Sequence, residues 1–194
     1  NYDFEHEVGT TDPPVSHPEL LRREAYWALT SGAAGQMYGN GFTWQFLPGW
    51  QDHLDTPGSH DMGLARRLFE SRRWFDLVPD DPPTLVIAGG GTFSDSCANV
   101  LVDCMGGNDY VTAARTPDGA LAILYLPAEN AITVDLSRMG PHVRAAWFDP
   151  SRGSFVPVRG PLSNTSTVFR PPGKNRDGDP DWVLVLDAMP LPQS

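Results

Sequence analysis

Long hydrophobic runs are absent from the 194-residue sequence, and apolar stretches are short, as in Leu184-Val185-Leu186. A helix that spans a bilayer needs about 20 consecutive apolar residues, so we expect no membrane partner. Basic residues are also scarce, since 14 Lys and Arg oppose 24 Asp and Glu for a net charge of -10. No Lys/Arg stripe offsets that charge, and a phosphate backbone would be repelled. The sequence therefore excludes nucleic acid as a partner.

Cysteine is scarce as well, and Cys97 and Cys104 lie close together in a loop-like stretch. They are either two buried thiols or a small disulfide; the disulfide, which we slightly favour, needs an oxidising compartment. Two ligands do not make a zinc site, and neither His53 nor His60 has a third ligand at useful spacing. Asp177-Gly178-Asp179 matches no EF-hand spacing, so a solvated turn is expected there. We predict no metal and no cofactor.

An initiator methionine and a signal peptide are missing, because the chain begins at Asn1. Either processing removed an upstream segment or the chain is a piece of a longer protein. The composition, 40% hydrophobic and 20% charged, is that of a folded globular protein rather than a disordered one. The length suits one large domain or two small ones.

The first part of the chain alternates helices with loops and a strand. Apolar residues at helical spacing predict a helix from about Glu19 to Ser31. Gln36–Gly39 is predicted to be a short strand buried on both sides, and a long loop follows it. A second helix is expected after Pro57-Gly58, with Ser59 as its cap. This order is typical of an α/β barrel.

The pattern changes at the Pro/Asp cluster Val78–Pro83, which predicts a boundary near Asp80 between domains 1–80 and 81–194. Beyond it, short strands alternate with turns such as Pro117-Asp118-Gly119. Eight strands at this spacing predict an antiparallel β-sandwich without long helices. The predicted strands are Thr84–Ala88, Tyr110–Arg115, Leu121–Leu126, Ile132–Leu136, Val143–Phe148, Ser154–Val158, Thr167–Arg170 and Trp182–Asp187.

Three carboxylates near the start, Asp3, Glu5 and Glu7, alternate with aromatic or imidazole side chains. In a strand, residues two apart share a face, so the three would point the same way. Glycoside hydrolysis needs two carboxyl groups across the scissile bond, and aromatic neighbours raise carboxyl pKa values by desolvation. The alternative is a solvated acidic terminus, which the residue pattern by itself favours.

The loop Tyr38–Trp50 is the stronger signal, because it combines aromatic residues with glycine, asparagine and glutamine. Flat apolar faces beside amide groups suit a sugar site, and a loop after a barrel strand is where such sites lie. The candidate binding residues are Tyr38, Asn40, Trp44 and Trp50, with Trp44 foremost. The alternative is that these aromatics only plug the end of a barrel and pack on the next domain.

Several motifs run through the chain in a fixed order, with residues 89–109 as an apparent insertion. They are Arg23-Glu24-Ala25-Tyr26-Trp27, Gly32-Ala33-Ala34-Gly35-Gln36-Met37-Tyr38-Gly39-Asn40, Trp44-Gln45-Phe46, Glu70-Ser71-Arg72, Leu77-Val78-Pro79-Asp80, Ala113-Ala114-Arg115, Tyr125-Leu126-Pro127, Val134-Asp135-Leu136, Trp147-Phe148-Asp149-Pro150 and Asp181-Trp182-Val183-Leu184-Val185-Leu186. This set resembles the apiosidase-like glycoside hydrolases, in which a catalytic barrel precedes a β-domain labelled as collagen-binding.

The resemblance implies a secreted enzyme, extracellular or periplasmic, with a TIM-type (β/α)8 barrel that acts on side chains of plant or microbial polysaccharides. A complete barrel needs about 250 residues, so this chain would supply roughly the last two βα units. Tyr2-Asp3 aligns with the second half of the family's Glu-x-x-Tyr-Glu-like motif. Asp3 and Glu5 are then the candidate catalytic carboxylates and Tyr2 a substrate-binding residue. The leading glutamate would precede Asn1, and the partner acid would come from the N-terminal remainder of the barrel.

The alternative function is a non-catalytic β-sandwich module that binds carbohydrate or matrix protein. Such a module would expose aromatic side chains on its sheets. Trp147 and Trp182 instead occupy strand patterns that look buried. The sequence therefore favours part of a glycosidase with an accessory β-domain.

Overall fold

The structure is a computed structural model that describes residues 18–93 and 109–189 and the backbone of residues 2–3. Helix α1 spans Pro18–Thr30 and helix α2 spans Pro57–Glu70. Short 3-10 helices occupy Trp50–His53, Trp74–Asp76 and Leu136–Arg138. Helix α1 thus begins and ends one residue earlier than predicted. No helix among the described residues is long and apolar enough to cross a membrane.

The cap predicted for α2 is wrong by three residues. Thr56 is the N-cap: its hydroxyl accepts from the Ser59 amide at 3.2 Å, and the Thr56 amide donates to the Ser59 hydroxyl at 3.0 Å. Pro57 fits the first helical position because its missing N–H would have no partner there. Ser59 therefore closes a capping box from inside the helix.

Eleven strands are described. The eight strands predicted in the second half are all present at nearly the predicted bounds. An additional strand, Val78–Pro79, lies in the Pro/Asp cluster that was predicted as the domain boundary. In chain order the strands are β1 Tyr2–Asp3, β2 Gly39–Asn40, β3 Val78–Pro79, β4 Val86–Ala88, β5 Thr112–Arg115, β6 Leu121–Leu126, β7 Ile132–Asp135, β8 Arg144–Phe148, β9 Phe155–Pro157, β10 Ser166–Phe169 and β11 Trp182–Asp187.

The strands form two antiparallel sheets and one small parallel pair. The larger sheet has the order β3-β5-β6-β11-β8-β9, the smaller has the order β10-β7-β4, and β1 pairs with β2. Within residues 113–187 the only helical element is the 3-10 helix Leu136–Arg138, in agreement with the prediction for this region. The division of the chain at residue 80 stays a prediction.

The central strands β6 and β11 are buried on both faces, which explains their unbroken apolar sequences. Leu124 and Leu184 share a core with residues of the smaller sheet. Ile123 and Val185, which are cross-strand neighbours, pack with residues of α1 and α2 on the opposite face. The molecule therefore has three layers, with the large sheet between the two helices and the small sheet.

The structure tests the predicted burial of the strand at Gln36–Gly39 but not the predicted disulfide. The strand predicted at Gln36–Gly39 lies at Gly39–Asn40, and Gln36 and Met37 are exposed, Met37 by 84%, so their predicted burial is wrong. The described residues provide only β1 as a neighbour for this strand, and no layer covers Met37. Cys97 and Cys104 lie outside the described residues, so their disulfide stays a prediction.

Candidate functional site

Strands β1 and β2 run parallel, with Tyr2 opposite Gly39 and Asp3 opposite Asn40. Asp3 and Asn40 are the last residues of their strands, so both stand at the carboxyl edge of this pair. In barrels and open α/β sheets this edge carries the active site, because the following loops converge there. The pairing brings a predicted carboxylate position and a predicted binding position together in the backbone. Glu5 lies outside the described residues.

Asn40 organises the loop that follows β2. Its side chain is 1% exposed, and its amide nitrogen donates to the His53 carbonyl at 3.3 Å and the Tyr38 hydroxyl at 3.4 Å. Its amide oxygen accepts from the Phe42 amide at 2.9 Å, and its backbone carbonyl accepts from the Trp44 amide at 3.1 Å. Both amide hydrogens thus have partners within the protein. A sugar-binding role for Asn40 stays a prediction, whereas its role in holding the loop is direct.

Replacing Asn40 with alanine is expected to destabilise the protein by about 1–3 kcal/mol, because buried loop donors and acceptors would lose their partners. Chemical denaturation of the variant measures this difference. Gln45→Ala is the matched control, since Gln45 is an exposed amide in the same loop. Its expected effect is within about 0.5 kcal/mol, and equal effects for the two variants would contradict this role for Asn40.

The same loop is tied to the start of α2. The Tyr38 hydroxyl lies 3.0 Å from the hydroxyl of Thr56, the helix cap. The imidazole of His53 stacks on Phe42, with ring centroids 3.7 Å apart and planes 9° apart. His53 is thus half-buried and part of the loop's packing, not a simple surface residue. Of the described residues, no group of three or more His, Cys, Asp or Glu is placed to hold a metal ion.

Aromatic side chains project from the loop into solvent. Trp44 is 54% exposed and Phe46 is 70% exposed, while Trp50 is half-buried. Phe46 and Trp50 meet edge to face, with centroids 5.2 Å apart and planes 84° apart. Phe46 was not among the predicted site residues. The many aromatic residues in the loop could have indicated Phe46 as a site residue. The backbone conformation of Phe46, however, could not be predicted from the sequence.

A groove of about 400 Å³ lies between α1 and α2 and does not suit glycoside chemistry. Most of the described residues that line it are apolar, including Leu29, Met62 and Phe69. The one carboxylate among the described lining residues, Glu70, accepts a hydrogen bond from Arg66 at 2.8 Å. Glycoside hydrolysis needs two carboxyl groups flanking one bond. The carboxyl edge of β1 and β2 is therefore the better candidate site.

A buried ionic cluster connects both helices to the β-strand region. Arg22, with no exposed surface, donates to Asp61 at 2.7 Å, to Asp179 at 2.7 Å, and through two nitrogens to Asp181 at 2.9 Å. The Tyr125 hydroxyl adds a hydrogen bond to Asp181 at 3.1 Å. Asp179 is half-buried in this cluster, so the solvated turn expected at Asp177–Asp179 is corrected for that residue.

Charge and burial oppose each other in this cluster. Burial by itself lowers the pKa of Arg22, but hydrogen bonds and attraction from its three carboxylate partners outweigh burial and raise it. Burial also raises the pKa of Asp61 above its ordinary value, although the hydrogen bond from Arg22 opposes that shift. Arg22 forms ion pairs with Asp61, Asp179 and Asp181, so its positive charge is balanced inside the fold. We therefore interpret the cluster as structural.

Two family models match separate parts of this chain. Residues 1–76 match the family model "Apiosidase-like, catalytic domain", and residues 99–187 match "Putative collagen-binding domain of a collagenase". No curated protein matches the chain. These two matches confirm the resemblance to the apiosidase-like family that the motifs indicated.

Solved structures share the fold. A crystal structure of a glycoside hydrolase family 5 protein from Bacteroides vulgatus ATCC 8482 is 24% identical, with a TM-score of 0.76, and covers 96% of this chain. A second structure, described as a glycoside hydrolase, is also 24% identical and has a TM-score of 0.73 over 96% of this chain. This chain spans only 39% and 42% of those two proteins.

Proposed function

We propose that this chain is the C-terminal part of a glycoside hydrolase that cleaves glycosidic bonds in poly- or oligosaccharides. Residues 1–80 contribute the last βα units of a (β/α)8 barrel, and residues 81–194 form an accessory β-sandwich. The protein is exported to an extracellular or periplasmic location. The match of residues 1–76 to an apiosidase-like catalytic domain and the fold shared with glycoside hydrolases support this function.

The observation that carries the proposal is the parallel pairing of β1 with β2, which aligns Asp3 with Asn40 at the carboxyl edge. The aromatic loop leaves that same edge, with Trp44 exposed beyond it. Barrel enzymes bind substrate at this edge of their strands. The pairing of Asp3 with Asn40 and the aromatic loop that follows Asn40 therefore support a sugar site at this edge.

The chemistry requires two carboxyl groups, one to donate a proton and one to act as nucleophile or base. Asp3 and Glu5 are the candidates from this chain, and Tyr2 is a candidate for contact with the sugar. The leading glutamate and the partner acid belong to the N-terminal remainder of the barrel. This chain thus supplies one side of the sugar site rather than the complete catalytic pair.

The β-sandwich serves as a support for the barrel rather than as a separate binding module. Its two tryptophans, Trp147 and Trp182, are each 4% exposed and belong to the core between the sheets. One face of its large sheet is covered by α1 and α2. Neither observation favours a surface that would bind carbohydrate or matrix protein through exposed tryptophan.

Trp44→Ala in the full-length protein tests the function. We expect kcat/KM for the best substrate in a panel of aryl glycosides to fall at least about tenfold, or about 1.4 kcal/mol of transition-state binding. Trp44→Phe, which keeps an aromatic face, should retain most of the activity. Unchanged kinetics in a folded Trp44→Ala protein would exclude Trp44 from the site, and a wild-type protein that cleaves no glycoside would contradict the proposed function itself.

A further inference from the structure

We propose that Phe46 is a stacking platform for an uncharged sugar unit of the substrate, held toward solvent by a strained backbone. The inference rests on the proposed function and adds a residue and a substrate class to the same site. Three observations carry it: the backbone conformation of Phe46, the exposure of its ring, and the lack of cationic residues in its loop segment, residues 40–50.

Phe46 adopts a left-handed backbone conformation, with φ at 52°. A bulky residue rarely takes this conformation, because Cβ approaches the following carbonyl oxygen. Neighbouring hydrogen bonds hold the turn in place: the Phe46 amide donates to the Thr43 carbonyl at 3.3 Å, and the Leu47 amide donates to the Phe42 carbonyl at 3.0 Å. Glycine would fit this position without strain, so the loop tolerates an unfavourable residue. Strain of this kind collects at functional sites.

Burial does not explain why an aromatic residue occupies the position, because 70% of Phe46 is exposed. Its one described ring contact, the edge-to-face pair with Trp50, orients the ring while leaving most of it accessible. An oriented and accessible aromatic ring can accept the C–H bonds of a sugar ring against its negatively polarised face. Trp44, two residues away in the sequence, is a second exposed aromatic residue of the same loop.

The loop around this platform carries no charge, since residues 40–50 contain no Asp, Glu, Lys, Arg or His. A uronic acid or sulfated sugar would find no cation in this segment, and the Asp52 carboxylate, which lies close to Gly49, would oppose its approach. Amide and hydroxyl groups, such as those of Gln45 and Thr43, provide hydrogen bonds suited to neutral hydroxyls. The platform therefore favours an uncharged pyranose or furanose unit.

The experiment compares Phe46→Gly, Phe46→Ala and Phe46→Tyr in the full-length protein. Both truncations should lower kcat/KM on the best aryl glycoside about tenfold, chiefly through KM, and should equally weaken retardation in gels containing neutral polysaccharides. The tyrosine variant should restore both properties. Phe46→Gly should melt above Phe46→Ala, because only glycine relieves the left-handed strain.

Phe75→Ala is the matched control, because Phe75 is 72% exposed and follows the opposite end of α2. It should leave KM and gel retardation unchanged. The inference is overturned, with the function intact, if the wild type cleaves glycosides and the Phe46 truncations behave like Phe75→Ala. It is also overturned if tyrosine restores nothing, if anionic polysaccharides retard the protein more than neutral ones, or if Phe46 truncations lower the melting temperature without changing KM, which would indicate a protein contact. A wild type that neither cleaves nor binds any panel member overturns the function and the inference together.

Discussion

Replacing Arg22 with methionine is expected to lower the free energy of unfolding by about 3–5 kcal/mol, the usual cost of removing one partner from a buried ion pair. Arg22 is fully buried, and its guanidinium is the cation for Asp61, Asp179 and Asp181. Asp61 and Asp181 are themselves almost inaccessible, so in the variant water could not replace the lost cation. Urea denaturation of the purified protein measures the difference.

Arg66→Met is the matched control for this prediction. Arg66 lies on α2 with 75% of its side chain exposed, and it pairs with Glu70 one helical turn away. Exposed pairs of this kind contribute about 0.3–0.5 kcal/mol, since water screens them and two long side chains lose rotamer freedom. A loss of stability in Arg22→Met no larger than in Arg66→Met would mean that the buried cluster does not hold the layers together.

The stability deficit of Arg22→Met should also shrink as the pH falls from 7 toward 4. The pKa of Asp61 is already raised by burial, and loss of the Arg22 hydrogen bond would raise it further. When the pKa of a carboxyl is higher in the folded than in the unfolded protein, the protonated carboxyl favours folding at pH values below the unfolded pKa. This contribution is lost as the pH rises through the folded pKa, so the variant is penalised most near pH 7. Denaturation curves at the two pH values test this sign, and a deficit that grows on acidification would contradict it.

A polypeptide of residues 81–194 alone is expected not to form a stable soluble monomer. Without α1 and α2, one face of the central strands loses its cover, including Ile123, Tyr125, Val183 and Val185. An uncovered apolar face of this kind promotes association. Asp181 would also stay near the sheet without its guanidinium partner. Size-exclusion chromatography with light scattering and near-ultraviolet circular dichroism should show aggregates or a loosely packed chain.

Two comparisons sharpen this truncation experiment. Adding back residues 18–80 should reduce the aggregation, because those residues carry strand β3 and both helices that cover this face. Polar substitutions on the uncovered face, Ile123→Thr with Val183→Thr, should improve the solubility of residues 81–194 and destabilise the longer chain. A stable, cooperatively folded monomer from residues 81–194 without these changes would favour an independent binding module.

Local periodicity was enough to predict most elements of the fold. The eight strands after residue 80 and both helices follow from apolar spacing and turn residues, which report on a few neighbouring positions. Gly119 illustrates this, since its φ of 65° fits the turn expected at Pro117-Asp118-Gly119. The unbroken apolar runs of β6 and β11 fit the burial of both faces that the structure shows. In the candidate site, the density of aromatics in Tyr38–Trp50 points to the loop that follows β2, and its role in sugar binding stays a prediction.

Tertiary structure decided the rest, because long-range contacts leave no periodic trace in a sequence. Arg22 and Asp181 are separated by 159 positions, and nothing near either residue indicates that they meet. The parallel register that sets Asp3 beside Asn40 depends on strand pairing, not on residue type. The part that the buried amide of Asn40 plays in holding its loop also depends on tertiary contacts, with the His53 carbonyl and the Phe42 amide. The left-handed conformation of Phe46 is likewise set by the hydrogen bonds of the folded loop, which the residue's own preference opposes.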